Sequence, residues 1–523
     1  MELNADQQAV LANPQGARCI LSGPGSGKTT TIVALVQQLI AGGVSPSQIR
    51  ALTFSKEMAQ TLEKRIGIKG IASTFHSLGY LICSETERKP VEPEIRHRLM
   101  CKLIRKWKLD YKELDGFIAR MRRENRSPQD AIEEYGYGLA SAYEEYERER
   151  KQAGFMDFDS MLADARDLLE NPEVRQRWSP KYLIVDEAQD TDNCQFRIAQ
   201  LMAEKHGNIT VVGDASQCIY GFRGAQPGNL FHFEKWFPNS KYYYLGRNYR
   251  STPQITTFVR ENAPEDTPKE LLARMQAVRA EKGAPVSLKM YWSDDQEAES
   301  ALALAQKDPL NSIILARTNR MVGLLERICT RTNLRYHLLG KTGFWKQNEI
   351  RKAIEALKDY QPAMRAEAAI NLVVSTLRDK YAVDDRTERD NDALENLEVL
   401  RIIGKDFGTA KEFAVYANKM MHRRNDPKGV SISTVHQAKG LEFRNVFLIG
   451  VNAKGFPHAK GDPKEEKRIY FVAISRAIDS LRISFAGTPS PYLRKYLSDE
   501  ILDKLRNKAL EVERLQTQHK LFA

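Results

Sequence analysis

At 523 residues the chain exceeds one ordinary domain, since about 150 residues per domain is typical, and three or four compact units are expected. Its 42% hydrophobic and 28% charged residues fit a globular protein, and no apolar run approaches the roughly 20 residues of a membrane helix, so a membrane partner is not expected. A formal charge of +11 permits a polyanionic partner, while six scattered cysteines without a C-x-x-C pair give no sign of a zinc or iron–sulfur site. Residues 1–6 have neither the basic cluster nor the apolar stretch of a secretory signal, so the cytoplasm is the expected location.

In chain order, short β-rich runs at 18–21, 51–54, 182–185 and 209–212 alternate with longer amphipathic runs, and the pattern returns at 312–315, 430–434, 445–449 and 481–485. Such alternation predicts parallel strands joined by crossover helices. Two polar, highly charged, helix-like stretches interrupt it. The expected organisation is a first α/β domain from 1–84 and 155–252 around a helical insertion at 85–154. A second follows from 253–358 and 429–490 around a shorter helical insertion at 359–428, with a helical tail at 491–523.

The first β-run feeds Ser22-Gly23-Pro24-Gly25-Ser26-Gly27-Lys28-Thr29, and a helix-like run from Thr30 stops at Gly42-Gly43. This is a phosphate-binding loop in its expected strand–loop–helix context, with Ser22 where glycine or alanine is usual. Its glycines let backbone N–H groups close around phosphate oxygens at a helix N-terminus. Lys28 can reach the terminal phosphates, and the Thr29 hydroxyl suits magnesium. Downstream, an apolar strand delivers Asp186 and Glu187 at its carboxyl end, where Asp186 suits magnesium and Glu187 suits polarising the attacking water. The acids alone could be a solvated strand edge; paired with the upstream loop they define a nucleoside triphosphate hydrolase.

Asp186-Glu187-Ala188-Gln189-Asp190 is followed by Val212-Gly213-Asp214-Ala215-Ser216-Gln217-Cys218-Ile219-Tyr220-Gly221-Phe222-Arg223-Gly224-Ala225 and by Asn248-Tyr249-Arg250-Ser251. Further on come Ala316-Arg317-Thr318-Asn319, Thr434-Val435-His436-Gln437-Ala438-Lys439-Gly440-Leu441-Glu442-Phe443 and Ala473-Ile474-Ser475-Arg476-Ala477. With Leu3-Asn4 and Gln7, Thr53-Phe54-Ser55 and Thr74-Phe75-His76 upstream, the ordered set resembles the UvrD/Rep/PcrA-type superfamily-one DNA helicases. The resemblance implies two RecA-like P-loop NTPase domains that use ATP and magnesium. It also implies 3′-to-5′ movement on single-stranded DNA, or on DNA with a 3′ single-stranded tail.

Carried over by residue, the resemblance places Gly23, Gly25, Ser26, Gly27, Lys28, Thr29 and Thr30 around the phosphates, with magnesium on Thr29 and Asp186. It assigns Gln7 to the adenine edge, with Gln8 as an alternative, Tyr249 to stacking on the adenine and Glu442 to the ribose. Lys28, Glu187, Gln217, Arg250 and Arg476 would carry the chemistry, with Gln217 sensing the γ-phosphate and the two arginines approaching it. Phe54, Thr74, Phe75, His76, Phe222, Arg223, Arg317, Thr434 and His436 lie in motifs that line the family's DNA groove, with Phe222 in place of a usual stacking tryptophan.

Arg120, Arg122 and Arg123 belong to a basic stretch interleaved with Trp107, Tyr111 and Phe117, which reads equally as a solvated helical face or as an extension of the groove. The second insertion is shorter than in larger relatives, and the chain after residue 485 leaves little room for their strand-separating hairpin. Fast translocation with weak unwinding by the monomer is therefore expected. Gln518, Leu521 and Phe522 resemble a sliding-clamp docking peptide, against the plainer reading of a frayed amphipathic end. An alternative from another class is an ATP-switched DNA-binding subunit, held by a partner protein in a repair or antiphage (Gabija-like) complex. Intact Glu187, Gln217 and both arginines speak against a silent site.

Overall fold

The computed structural model describes residues 2–510 apart from 87–88, 91–92, 125, 127, 158–159, 222–223, 341–343, 382–387, 422–425, 460 and 508. The chain divides into two compact units, residues 1–249 with 267–275, and residues 250–266 with 276–523.

The first unit is built on β1 (Arg18–Ser22), β2 (Ile49–Thr53), β3 (Ala72–Thr74), β4 (Tyr182–Val185), β5 (Ile209–Gly213) and β6 (Lys241–Leu245). They lie in the order β3-β2-β4-β5-β1-β6, with every pairing parallel. Successive side chains leave a strand on opposite faces. Cys19, Leu21, Leu183, Val185 and Val211 therefore join one core, and Ile20, Tyr182, Ile184 and Val212 the other. Helices Lys28–Ala41 and Lys56–Ile66 cover the second face, and Phe75–Ser84 and Asn193–Ala203 the first. A parallel sheet needs this double cover, and each aliphatic side chain so buried contributes about 1.5–3 kcal/mol.

Between β3 and β4 the helices Pro93–Trp107, Tyr111–Glu124, Pro128–Tyr135 and Tyr137–Gln152 form a separate core that includes Met100, Leu103, Ile118, Met121 and Tyr146. A short parallel ladder of Lys89–Pro90 with Phe155–Met156 lies at its base.

The second unit contains β7 (Ser287–Tyr291), β8 (Ser312–Ala316), β9 (Tyr336–Leu338), β10 (Val430–Thr434), β11 (Phe443–Ile449) and β12 (Ala477–Ala486). Their order is β9-β10-β8-β11-β12-β7, again parallel throughout. Helices Ala366–Tyr381, Glu388–Gly404 and Ala410–Met421 intervene between β9 and β10 and share a core with Asn348–Ala356 around Ile350, Ile370, Leu400 and Phe413. After β12 the chain turns at Gly487 (φ +73°) into the 3₁₀ helix Pro491–Tyr496, with no strand hairpin among the described residues there.

The α/β class with two parallel sheets is the one expected. The sequence reading recovered eight of these strands and missed β3, β6, β7 and β9, which are the four sheet edges. Edge strands are half solvated or very short. Lys241–Leu245 and Ser287–Tyr291 carry exposed positions that break the apolar run, and β3 and β9 have only three residues each.

Candidate functional site

In the first unit the loop after β1 turns through Gly25 (φ +68°) and Gly27 (φ +80°), left-handed conformations that glycine adopts without strain. Gly27 starts the helix Lys28–Ala41 without a side-chain cap, so the helix dipole and its first N–H groups are left for an anion. A Cβ on Gly27 would also lie 2.8 Å from Gln7 Nε2. Gln7 is buried there through a reciprocal cap: Gln7 N donates to Asn4 Oδ1 at 2.9 Å, and Asn4 N donates to Gln7 Oε1 at 3.0 Å. Gln8 is exposed and donates to Leu3 O, so of the two glutamines it is Gln7 that faces the loop. Tyr249 N donates to Gly25 O at 2.9 Å, and the exposed tyrosine's hydroxyl accepts from Asn4 Nδ2 at 2.6 Å. Ser22 is buried and donates to Gly213 O at 2.9 Å, which explains a hydroxyl where glycine is usual.

Lys28 Nζ lies 3.5 Å from Glu187 Oε2. Asp186 is buried behind it and accepts from Glu187 N at 2.9 Å. Burial, and then the neighbouring Glu187 charge, pushes the Asp186 carboxyl up to about 7 against the pull of Lys28. Gln217 Nε2 donates to Asp214 Oδ2 at 2.7 Å, and burial raises Asp214 to about 6 against Lys28 and that hydrogen bond. Buried Ser26 Oγ makes no hydrogen bond among the described residues. An orphaned hydroxyl in a glycine cradle, a lysine and a buried carboxylate fit a magnesium–triphosphate group. Sequence reasoning missed Gln189, which ties these parts together; its signal was a polar side chain inside an otherwise acidic motif.

In the second unit Arg250 Nε lies 2.5 Å from Glu442 Oε2, and Arg250 Nη1 donates to Ser475 O at 3.2 Å. Arg476 is buried, its guanidinium donating to Val472 O, Leu441 O and Ser475 Oγ. The two arginines and Glu442 thus meet around Ser475, so Glu442 is engaged by Arg250 in this structure.

Residues 3–238 match the UvrD/REP helicase N-terminal domain, and residues 243–375 and 370–488 match the UvrD-like helicase C-terminal domain. The chain belongs to the UvrD/Rep helicase family. The ATP-dependent DNA helicase PcrA of Staphylococcus aureus is 25% identical over 611 residues, covering 92% of this chain and 83% of its own length. PcrA of Staphylococcus epidermidis is 25% identical over 639 residues, covering 96% and 87%.

In this UvrD-like chain Phe54, Thr74, Arg317 and Thr434, four of the residues expected along a DNA groove, sit at or just past carboxyl ends of strands, where open α/β sheets present ligands. Phe54 follows β2 and stacks on Tyr220, ring centroids 5.3 Å apart and planes 10° apart; both rings are partly exposed, and Tyr220 was not foreseen. Thr74 caps the helix Phe75–Ser84 by accepting from Ser77 N, and His76 is half-buried beside it. Phe75 departs from expectation: it is buried in the core with Leu78 and Ile82, so its ring has no face for a base. Arg317 departs too, held by buried Glu466 through Nη2 at 2.5 Å and Nε at 2.9 Å. Thr434 is buried at the end of β10, with His436 half-buried beyond it. At this edge of the second sheet Trp292, Arg320, Lys454 and His458 help line an open cavity of about 990 Å³.

The groove-extension reading of the first insertion fails for Arg122, which is buried in ion pairs with Glu147 and Asp157. Arg120 donates to Tyr135 OH at 2.8 Å, and Arg123 packs beside Gly224. Phe222, Arg223, Gln518, Leu521 and Phe522 lie outside the described residues. No helix among the described residues is long and apolar enough to cross a membrane.

Proposed function

We propose that the chain hydrolyses ATP to drive 3′-to-5′ movement along single-stranded DNA and, as a monomer, separates duplex weakly. The observation that carries its ATP-hydrolysis part is the hydrolytic set of the first unit, with Lys28 against Glu187, Asp186 behind them and Gln217 hung on Asp214, while the 3′-to-5′ direction rests on the family resemblance. Lys28 and the glycine cradle bind the β- and γ-phosphates, and Thr29 and Asp186 hold magnesium, which when bound neutralises developing phosphate charge. Glu187 orients the attacking water, and Gln217 reports the γ-phosphate to Asp214. Gln7 and Tyr249 flank the loop as the adenine contacts. By resemblance to the family, Arg250 and Arg476 are assigned to the transferring phosphate. Stacked Phe54 and Tyr220 form a sequence-tolerant platform of the kind single strands use, at about 1–3 kcal/mol per base. The DNA preference draws on the relatives named above, and weak unwinding on the direct passage from β12 to the helix Pro491–Tyr496.

The test is ATP hydrolysis with and without single-stranded DNA, with single-stranded RNA as a parallel arm, in the wild type and in Glu187→Gln. DNA stimulation lost in the variant is expected. ATP binding without stimulation would favour the ATP-switched binding subunit, and stronger stimulation by RNA would redirect the substrate.

A further inference from the structure

We infer that Gln189 is the positioning residue that orients Glu187 for hydrolysis and joins it to the γ-phosphate-sensing arm of Asp214 and Gln217; this rests on the hydrolase reading above. Gln189 is fully buried, at 0% exposure. Glu187 takes a left-handed backbone conformation (φ +52°) at the start of the 3₁₀ turn Ala188–Asp190, and this folds the Gln189 side chain back toward it. Gln189 Nε2 then donates to Glu187 Oε2 at 2.5 Å and more weakly to Asp190 Oδ2 at 3.4 Å. Its Oε1 accepts from Asp214 N at 2.9 Å. Asp214 in turn accepts from Gln217 Nε2 at 2.7 Å and from Ser216 N at 3.1 Å. One amide therefore bridges the turn after β4 to the turn after β5.

The neighbouring backbone makes room for this amide. A Cβ on Gly213 would lie 2.6 Å from Gln189 Oε1 and 3.2 Å from Gln189 N, so glycine at that position admits the side chain. The two ends of the amide have opposite requirements. The end at Asp214 N needs an acceptor, and the end at Glu187 needs a donor. Glutamine meets both, whereas a glutamate meets the first and opposes the second with like charge.

The geometry also gives Gln189 a role in the order of events. Glu187 Oε2 is shared between Lys28 at 3.5 Å and Gln189 at 2.5 Å. Lys28 is the group that turns to the phosphates when ATP binds. Gln189 is fixed at its far end by Asp214 N and keeps its hold on the carboxylate while Lys28 is occupied. Any shift of Gln217 on meeting the γ-phosphate passes through Asp214 to the same amide, so hydrolysis is keyed to a correctly seated triphosphate.

The experiment compares wild type, Gln189→Glu and Gln189→Met in three readouts: kcat and KM for ATP with saturating single-stranded DNA, affinity for a non-hydrolysable ATP analogue, and thermal midpoint. A displacement of about 1 Å costs near 100-fold in rate. Both variants are therefore expected to lose roughly that factor in kcat, with KM and analogue affinity within about twofold of wild type. Gln189→Glu, which retains the acceptor for Asp214 N, should be no better than Gln189→Met. Near-wild-type kcat in Gln189→Glu would overturn the inference, because the amide would then serve only as a strut for the Gly213–Asp214 turn. Collapse of KM, analogue affinity or the thermal transition together with kcat in both variants would overturn it as well. An inactive wild type would instead remove the underlying hydrolase reading.

Discussion

Lys28 Nζ and Glu187 Oε2 face each other at 3.5 Å, the two side chains being only 16% and 15% exposed. A cation and a carboxylate so placed neutralise one another until a triphosphate takes the cation. The two residues should then separate functionally. Glu187→Gln is expected to keep ATP affinity and lower DNA-stimulated kcat by about 10²–10⁴, the range for a lost general base. Lys28→Ala should weaken ATP binding as well as turnover. Titration with a fluorescent ATP analogue alongside steady-state hydrolysis checks both, and Glu187→Gln with more than a tenth of wild-type kcat would refute the assignment.

Gly27→Ala meets two obstacles. The left-handed φ of +80° costs roughly 1–2 kcal/mol with a Cβ, and that Cβ would press on Gln7 Nε2 at 2.8 Å. ATP affinity should fall about tenfold or more. Gly43→Ala is the control: its φ is +87° but no atom lies within 4 Å of the added Cβ, so it should lower the thermal midpoint and leave ATP affinity intact. Equal losses of affinity in both variants would show that the strain acts through global stability.

How much of this was legible in sequence follows from what each residue depends on. The phosphate loop, Asp186 and Glu187 were readable because their chemistry sits in consecutive residues at a strand end. The buried sheet centres were readable because β1, β4, β5, β8 and β11 are apolar runs. The edge strands were not, since β6 and β7 carry exposed positions that break the apolar run and β3 and β9 have only three residues each. Phe75 and Arg317 sit in the expected motifs, but Phe75 shares the buried face of its helix with Leu78 and Ile82, three and seven residues on, and Arg317 is held by Glu466, 149 residues away. The bridge from Gln189 to Asp214 joins residues 25 positions apart and depends on the pairing of β4 with β5.

Arg122 tests the corrected reading of the basic insertion. Its Nη2 lies 2.5 Å from Glu147 Oε1, its Nη1 lies 2.9 Å from Asp157 Oδ1, and its guanidinium lies 5.4 Å from the Tyr146 ring. Removing one partner of a buried ion pair costs about 3–5 kcal/mol, so Arg122→Ala should lower the thermal midpoint markedly. The salt dependence of DNA binding by the folded variant should keep its wild-type slope, because this side chain neutralises no phosphate. A shallower slope with unchanged stability would restore the groove-extension reading.

Asp157 shows the same network through pH. Burial alone would raise its carboxyl, but Arg122, the Tyr146 hydroxyl, Ser160 N and Arg96 hold it down at about 2, below the ordinary 3.8. A depressed acid contributes stability that is present above its unfolded value and is lost as pH falls from about 4 toward 2. Asp157→Asn should therefore melt well below wild type at pH 7, and the gap should narrow by pH 3. A gap of constant size across that range would mean that the ion pairs with Arg122 and Arg96 contribute nothing through the charge of Asp157.

Glu297 makes the opposite prediction. It is buried in the second unit, where its Oε1 accepts from Gly450 N at 2.9 Å and from Ser484 Oγ at 2.5 Å, while Oε2 has no hydrogen-bond partner among the described residues. Burial pushes its carboxyl up to about 7 from 4.5; the bonds from Ser484 and Gly450 pull against it, Asp294 adds to it and Arg320 opposes it. The folded chain then holds a proton that the unfolded chain releases, so stability falls as pH rises from about 4.5 to 7 and stays lower above that. Glu297→Gln retains the acceptor oxygen and removes the charge. It should melt close to wild type at pH 5 and higher than wild type at pH 8, by an equivalent of about 1–3 kcal/mol. Thermal melts of the two proteins across that range decide it: a difference that does not grow with pH would mean that the carboxyl is ionised in the fold throughout, with a partner for Oε2 supplied by solvent.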